Sequence, residues 1–422
     1  MFNQGLSLEQ APPISIPIRF FLSAPIFGVL LGLVFLFTPF LEVSNQYSNS
    51  AITVVHLFTL GILSMIIFGA MQQMMPVLAG AVIKKPILFG NIVHTSLVLG
   101  TLGLSGSFFF DIKMLLHIGI LFLSIAFLVF FILTIKLLFK VEFLTSTVKA
   151  MRLFSVSGLL TFFLGLFLSV SHMSGNMGNN YSIFVNSHIL FGLFGFATLL
   201  IMGVSFQVIP MFYVSSDFPK IIQNKAPVLI FALLFISFFF LLFEINFFIL
   251  KLLFVAIFIT YSYFGLKSLN NRKRPVFDIT LWYWKLSLGM FILSMIIWLF
   301  DIFKSSYLLA IVFTLGFIYS LLQGMVYKII PFLSWFHLSS KGYFSIPTIR
   351  EFIEEKNIKY HFYLHVLSVI FFVLSYFINT FIYIASIFFI VSNIVFFLNC
   401  LNGIRKYSKI VKTDPMDMSA FK

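Results

Sequence analysis

Apolar residues run along this chain in blocks of membrane length, broken by short stretches that hold charge, Gly, Asn or Pro. Blocks near 18–41, 51–80, 87–109, 114–139, 151–172, 184–212, 227–243, 247–268, 281–300, 307–333, 361–378 and 380–402 each reach the length a helix needs to cross a bilayer. The pattern predicts an all-α integral membrane protein of twelve transmembrane helices. Composition agrees, with 60% hydrophobic and only 9% charged residues among 422 and a mean hydropathy of +1.08. A soluble protein of this length needs more charge to cover its surface. The prediction is therefore a single membrane domain over 1–422, with short tails at 1–17 and 403–422. The opening MFNQGLSLEQAPPISIPIRF lacks the basic start, short apolar stretch and small-residue cleavage site of a signal peptide, so the first span is expected to be retained.

The formal charge of +14 would suggest nucleic acid in a soluble chain. Here its distribution matters more. Of 27 Lys and Arg, only Lys113, Lys251 and Lys304 fall in loops after odd-numbered spans, and Lys285 and Lys328 sit at helix ends. The rest lie in the tails or after even-numbered spans, so the positive-inside rule predicts cytoplasmic termini and an outward SHMSGNMGNNYS loop. No nucleic-acid partner is needed; the lipid bilayer is the expected one. Cys400 is the only cysteine. Disulfides within the chain, CxxC pairs and thiolate clusters are excluded, and a bound metal must use His, Met or oxygen.

A spacing G-x7-G-x3-[QK]-x2-P occurs three times. Gly61, Gly69, Gln73 and Pro76 match Gly195, Gly203, Gln207 and Pro210, and then Gly316, Gly324, Lys328 and Pro331. Each copy lies in the second helix of a four-helix block, which predicts repeats near 18–139, 151–268 and 281–402 around a pseudo-threefold axis along the membrane normal. The glycines suit close helix packing, and the prolines are expected to stop or kink their helices. The polar residue three before each proline is expected to bond the carbonyl that the proline leaves free.

Ionisable residues inside a membrane point to function, and histidine is nearly the only one here. Glu42, Asp111, Glu244 and Asp301 fall at outer helix ends, which argues against ion coupling through midplane carboxylates. His56 and His188 sit roughly 8 Å below the outer surface at 1.5 Å per residue, at nearly matching places in two repeats. The third repeat has Ile311 and Leu309 there. His117 and His172 belong to the same outer layer, and Met173 and Met177 beside His172 offer thioether ligands. Nearer the cytoplasm, His94 and His365 are candidates for an inner site. His361 shares a helix face with His365, and His337 is expected in a loop. A neutral imidazole suits haem iron or copper, because no charge must be desolvated. The alternative is an interhelical hydrogen bond. The 61 Phe residues can wall a porphyrin or face lipid.

Twelve spans in three four-helix units, cytoplasmic termini and a histidine near the outer end of the second span resemble the catalytic subunit of haem-copper oxidases. The chain is also similar to the NnrS family, in which a second-span histidine is followed about twenty residues later by an Ala-Val-Pro-like end. Here His56 and Pro76 match that spacing, and FQVIPMFY resembles the end of that family's sixth span. The resemblance implies a bacterial inner-membrane protein that holds b-type haem, with copper a further candidate, and acts in electron transfer or nitric oxide metabolism. It also implies a quinol or electron-donor protein as partner, with a partner subunit as a further candidate. Where haem-copper oxidases resemble one another in seventh- and tenth-span histidines, this chain reads NKAPVLIFALL and SSYLLAIVFTLGF. The usual copper site and second low-spin haem ligand cannot be built, which argues against a proton-pumping oxidase. Leu57 stands where the NnrS pattern has an acidic residue. A transporter or copper-handling assembly factor, and a scaffold for a partner subunit, are the alternatives.

Overall fold

A computed structural model describes residues 12–175, 178, 180–302, 305–343 and 346–413. Those residues contain no strand, and twelve of their helices are long and apolar enough to cross a membrane. They are α1 (Ser15–Phe37), α2 (Asn49–Ala79), α3 (Pro86–Phe110), α4 (Lys113–Leu138), α5 (Ser146–Ser174) and α6 (Tyr181–Tyr213), then α7 (Lys220–Leu242), α8 (Phe248–Asn270), α9 (Thr280–Phe300), α10 (Ser306–Ser340), α11 (Glu355–Leu374) and α12 (Phe381–Val411). Helices result because a backbone inside lipid must satisfy every N–H and C=O within its own segment. Polar caps open several of them: the Ser48, Thr145 and Ser305 side chains accept from the N–H groups of Ala51, Val148 and Leu308 at the starts of α2, α5 and α10.

Burial separates the helices into two classes. In their most apolar windows α2, α6 and α10 are 72%, 72% and 83% buried, whereas no other helix exceeds 50%. These three bear the repeated motif and form the centre. A cavity of about 60 Å³ lies where they meet, walled by Gln73 of α2, Val208 of α6 and Met325 of α10 among others. Around them α4 packs on α5, α8 on α9, and α12 returns to pack on α1.

The glycines of the motif make one contact three times. A Cβ on Gly69 would come within 2.7 Å of the Phe20 Cβ on α1, one on Gly203 would overlap the Ala150 Cβ on α5, and one on Gly324 would come within 2.7 Å of the Tyr283 Cβ on α9. Gly61, Gly195 and Gly316 face Phe27, Ser157 and Met290 on the same three partners. Small residues let backbones approach where lipid supplies no hydrophobic drive between helices.

Each central helix also widens into a π-helical segment: Leu57–Ser64, Phe191–Thr198 and Val312–Tyr319. All three begin at the same distance before their repeat proline. Ser64 and Thr198 close the first two and donate to the carbonyls of Thr59 and Leu193, 2.7 and 2.8 Å away; Ser320, just past the third, donates to the Leu315 carbonyl at 3.2 Å. Wide turns of this kind are rare and concentrate at functional sites.

Two of the repeat prolines lie within one turn of their helix ends at Ala79 and Tyr213, as the sequence leads one to expect, but Pro331 does not end α10, which runs on to Ser340. What ends α2 is Gly80 at φ +67°, whose N–H and that of Ala81 bond the Pro76 and Met75 carbonyls at 3.0 Å. Nor do the polar residues repair the freed carbonyls. Gln73 and Gln207 make no such bond among the described residues, and Lys328 pairs with Asp278 instead. His337 is likewise helical, not a loop residue: α10 outlasts its proline, and the ring reaches the Leu333 carbonyl at 2.9 Å and the Pro12 carbonyl at 3.2 Å.

Candidate functional site

Two of the histidines expected in the outer layer meet. His56 lies about two turns into α2 and His188 about two turns into α6, each just ahead of its π segment. Their ring centroids are 6.4 Å apart and the planes differ by 25°. His56 Nδ1 donates to the Ile52 carbonyl at 2.8 Å, one helical turn back. His188 Nδ1 donates across to the Thr161 carbonyl on α5 at 3.0 Å. A carbonyl on Nδ1 fixes the neutral tautomer and leaves the Nε2 lone pair for a ligand, which is how metal-binding imidazoles are oriented. Neither Nε2 has a protein hydrogen-bond partner among the described residues. Gly165 on α5 makes room for the second ring, since a Cβ there would stand 2.9 Å from His188 Cε1.

An ion shared through metal–nitrogen bonds of about 2 Å places two imidazole centroids roughly 6 Å apart. The observed 6.4 Å fits that separation. No group of three or more His, Cys, Asp or Glu able to hold a metal occurs among the described residues. A structural zinc site, which takes four protein ligands, is therefore not furnished. A two-nitrogen set fits a metal that arrives with its other ligands, as porphyrin iron does, or monovalent copper, which accepts two nitrogens.

The other expected ligands stay apart from this pair. His117 is exposed and donates to the Lys113 carbonyl at 2.9 Å. His172 packs its ring 5.1 Å from that of Phe108, and Met173 is half-buried against the core. Met177 lies outside the described residues. His94 and His365, the candidates for an inner site, bond different helices. His94 on α3 bonds Ser23 Oγ of α1 at 2.8 Å and packs edge-on to Phe20, whereas His365 on α11 bonds Ser320 Oγ of α10 at 2.8 Å.

What surrounds His365 is a polar core within α9–α12. His361 and His365 are both fully buried, with ring centroids 6.5 Å apart. The Tyr283 hydroxyl of α9 meets His361 Nδ1 at 2.6 Å. Tyr319 donates to Asn393, and Asn399 donates to the Tyr327 hydroxyl at 3.0 Å. Tyr283, His361 and this network were not singled out as site residues from sequence. The signal was available: Tyr319, Gln323 and Tyr327 recur every fourth residue on α10, a polar stripe on one helix face. A Tyr283→Phe change should leave the His361 ring without its one side-chain hydrogen-bond partner among the described residues and destabilise the protein by about 1–3 kcal/mol, the cost of a buried unsatisfied group. Thermal unfolding in detergent checks it; an unchanged midpoint would mean that the hydroxyl carries no net stability.

No protein-family model and no curated protein matches this chain.

Proposed function

We propose that His56 and His188 are the two axial ligands of a haem near the outer end of a membrane protein built like the catalytic subunit of haem-copper oxidases. The observation that carries this reading is the pair itself: two neutral imidazoles 6.4 Å apart, each held by a backbone carbonyl on Nδ1. The architecture proposed with it is three four-helix units about a pseudo-threefold axis. The thrice-repeated glycine contact, the matched π segments and the return of α12 to α1 support it.

A haem held there supplies electron transfer and, with an open position, binding of a diatomic gas such as nitric oxide. His56 and His188 would hold the group, which would supply electron transfer. The His188 ring is tied to the Thr161 carbonyl on α5, so a shift between α5 and α6 would move it. The redox partner is a quinol or an electron-donor protein, and the proposed location is the bacterial inner membrane with both termini cytoplasmic. The same two-nitrogen set also suits monovalent copper, and a copper-handling role without haem is the second reading.

Optical spectra of the purified protein, oxidised and dithionite-reduced, test the proposal when cells are supplied with haem precursor. A Soret band with reduced α and β bands is expected in the wild type, and its loss in His56→Ala and in His188→Ala. Folded protein that carries stoichiometric copper and no Soret band would replace haem by the second reading.

A further inference from the structure

A cavity of about 270 Å³ opens beside the end of α6 and residues 328–332 of α10, on the face that holds the α8–α9 loop. Its wall carries Arg272, Arg274, Lys328 and Arg350 against one carboxylate, Asp278. Asp278 is already engaged. One oxygen accepts from the Thr280 N–H at 3.0 Å and hydroxyl at 2.6 Å, and the other is paired with Lys328. Arg350 has only a rim contact of 3.7 Å to Glu355, and neither Arg272 nor Arg274 has a carboxylate within ion-pair distance among the described residues.

Cations on this face are expected from membrane topology alone. Their convergence on one cavity is not. The α8–α9 loop is tied back to the end of α6 by the Lys273 N–H on the Val214 carbonyl at 2.9 Å, and Arg272 is held by the Val276 carbonyl at 3.0 Å. Val214, itself on the wall, sits at φ +49°. A β-branched residue adopts that conformation only under constraint, and such strain gathers at ligand clamps. Lys328 also replaces the glutamine of the other two repeats, so the third copy alone brings a charge to this place.

We propose that this cavity binds a phosphate-bearing anion. Guanidinium forks match phosphate oxygens in paired hydrogen bonds, and Lys adds a point charge. Phe212 and Phe332 on the same wall accommodate an apolar portion of the ligand. The phosphate belongs to a lipid headgroup or to a soluble compound, and the test separates these sources.

Delipidated full-length protein in an uncharged detergent is titrated with dihexanoyl phosphatidylglycerol, with dihexanoyl phosphatidylcholine, and with inorganic pyrophosphate, while the unfolding temperature is followed. The expected result is a saturable rise with an anionic probe and none with the zwitterionic lipid. A response to phosphatidylglycerol alone assigns a lipid headgroup, and a response to pyrophosphate a soluble phosphate. Arg272→Gln/Arg274→Gln should weaken the apparent affinity about tenfold or more. Lys328→Gln/Asp278→Asn should also weaken it, while Lys84→Gln/Lys85→Gln, on the same face outside the cavity, should not. If the Lys328 variant does not fold, the arginine pair on the loop decides. No rise with either anion, or an equal loss in the Lys84/Lys85 variant, overturns the proposal.

Discussion

Gly203→Ala is expected to destabilise the protein by about 1–3 kcal/mol or more, the range of core overpacking, and Ala150→Gly in the same chain to restore most of the loss. The added methyl would overlap the Ala150 Cβ, and that carbon is fixed to the α5 backbone and cannot rotate away. α5 and α6 must then separate, and in lipid nothing but packing and hydrogen bonds holds them. The Thr147 hydroxyl donates to the Gly203 carbonyl at 3.0 Å, and this bond lengthens with the separation. Gly69→Ala and Gly324→Ala meet the Cβ atoms of Phe20 and Tyr283 at 2.7 Å, so they are expected to lose less. Thermal unfolding of the single and double variants in detergent measures the coupling. An unaltered midpoint for Gly203→Ala, or no recovery in the double variant, would remove this contact as the reason for the glycine.

The helices were legible in the sequence because lipid leaves a spanning segment no alternative to helix, so apolar length alone marks it. The repeated glycines were legible for a related reason: a close approach tolerates no side chain, and the requirement leaves the same letter at the same spacing three times. The π segments were not. Where nearly every position is apolar, as in LFTLGILS and VFTLGFIY, no polar face reveals the turn angle. The ends of α10 and α12 were missed because α10 was expected to end just past Pro331 and the basic stretch to Val411 was read as a tail. Both continue as helix, the first carrying His337 onto the Pro12 carbonyl.

The site was legible in part. Depth along a helix can be counted in a sequence, and His56 and His188 share a depth. Direction around a helix depends on neighbours, and counting does not fix it. His94 and His365 share a layer, yet one turns to Ser23 and the other to Ser320. The basic cavity was also hidden, since Arg272, Arg274, Lys328 and Arg350 are scattered along the chain and converge only when the α8–α9 loop folds back on Val214.

On the proposed haem reading, His188→Gly should abolish the haem spectrum, and added imidazole should restore it. Removing the ring leaves a space beside Gly165 that free imidazole can fill. The same treatment should rescue His56→Gly less well, because an imidazole there must find the Ile52 carbonyl one turn back on the same helix, whereas the His188 carbonyl partner is on a neighbouring helix. His117→Gly and His172→Gly should keep the wild-type spectrum, since His117 is engaged by the Lys113 carbonyl and His172 packs on Phe108. A glycine inside a helix costs about 1 kcal/mol in stability, so each variant is first checked for folding. This series separates ligation from packing: a merely structural histidine would leave the bands in place or take the fold down with them, and neither loss would answer to imidazole. Unchanged bands in His188→Gly would end its assignment as a ligand. If copper replaces haem, the same rescue should appear in the bound-copper ratio, because the two-nitrogen set is the same.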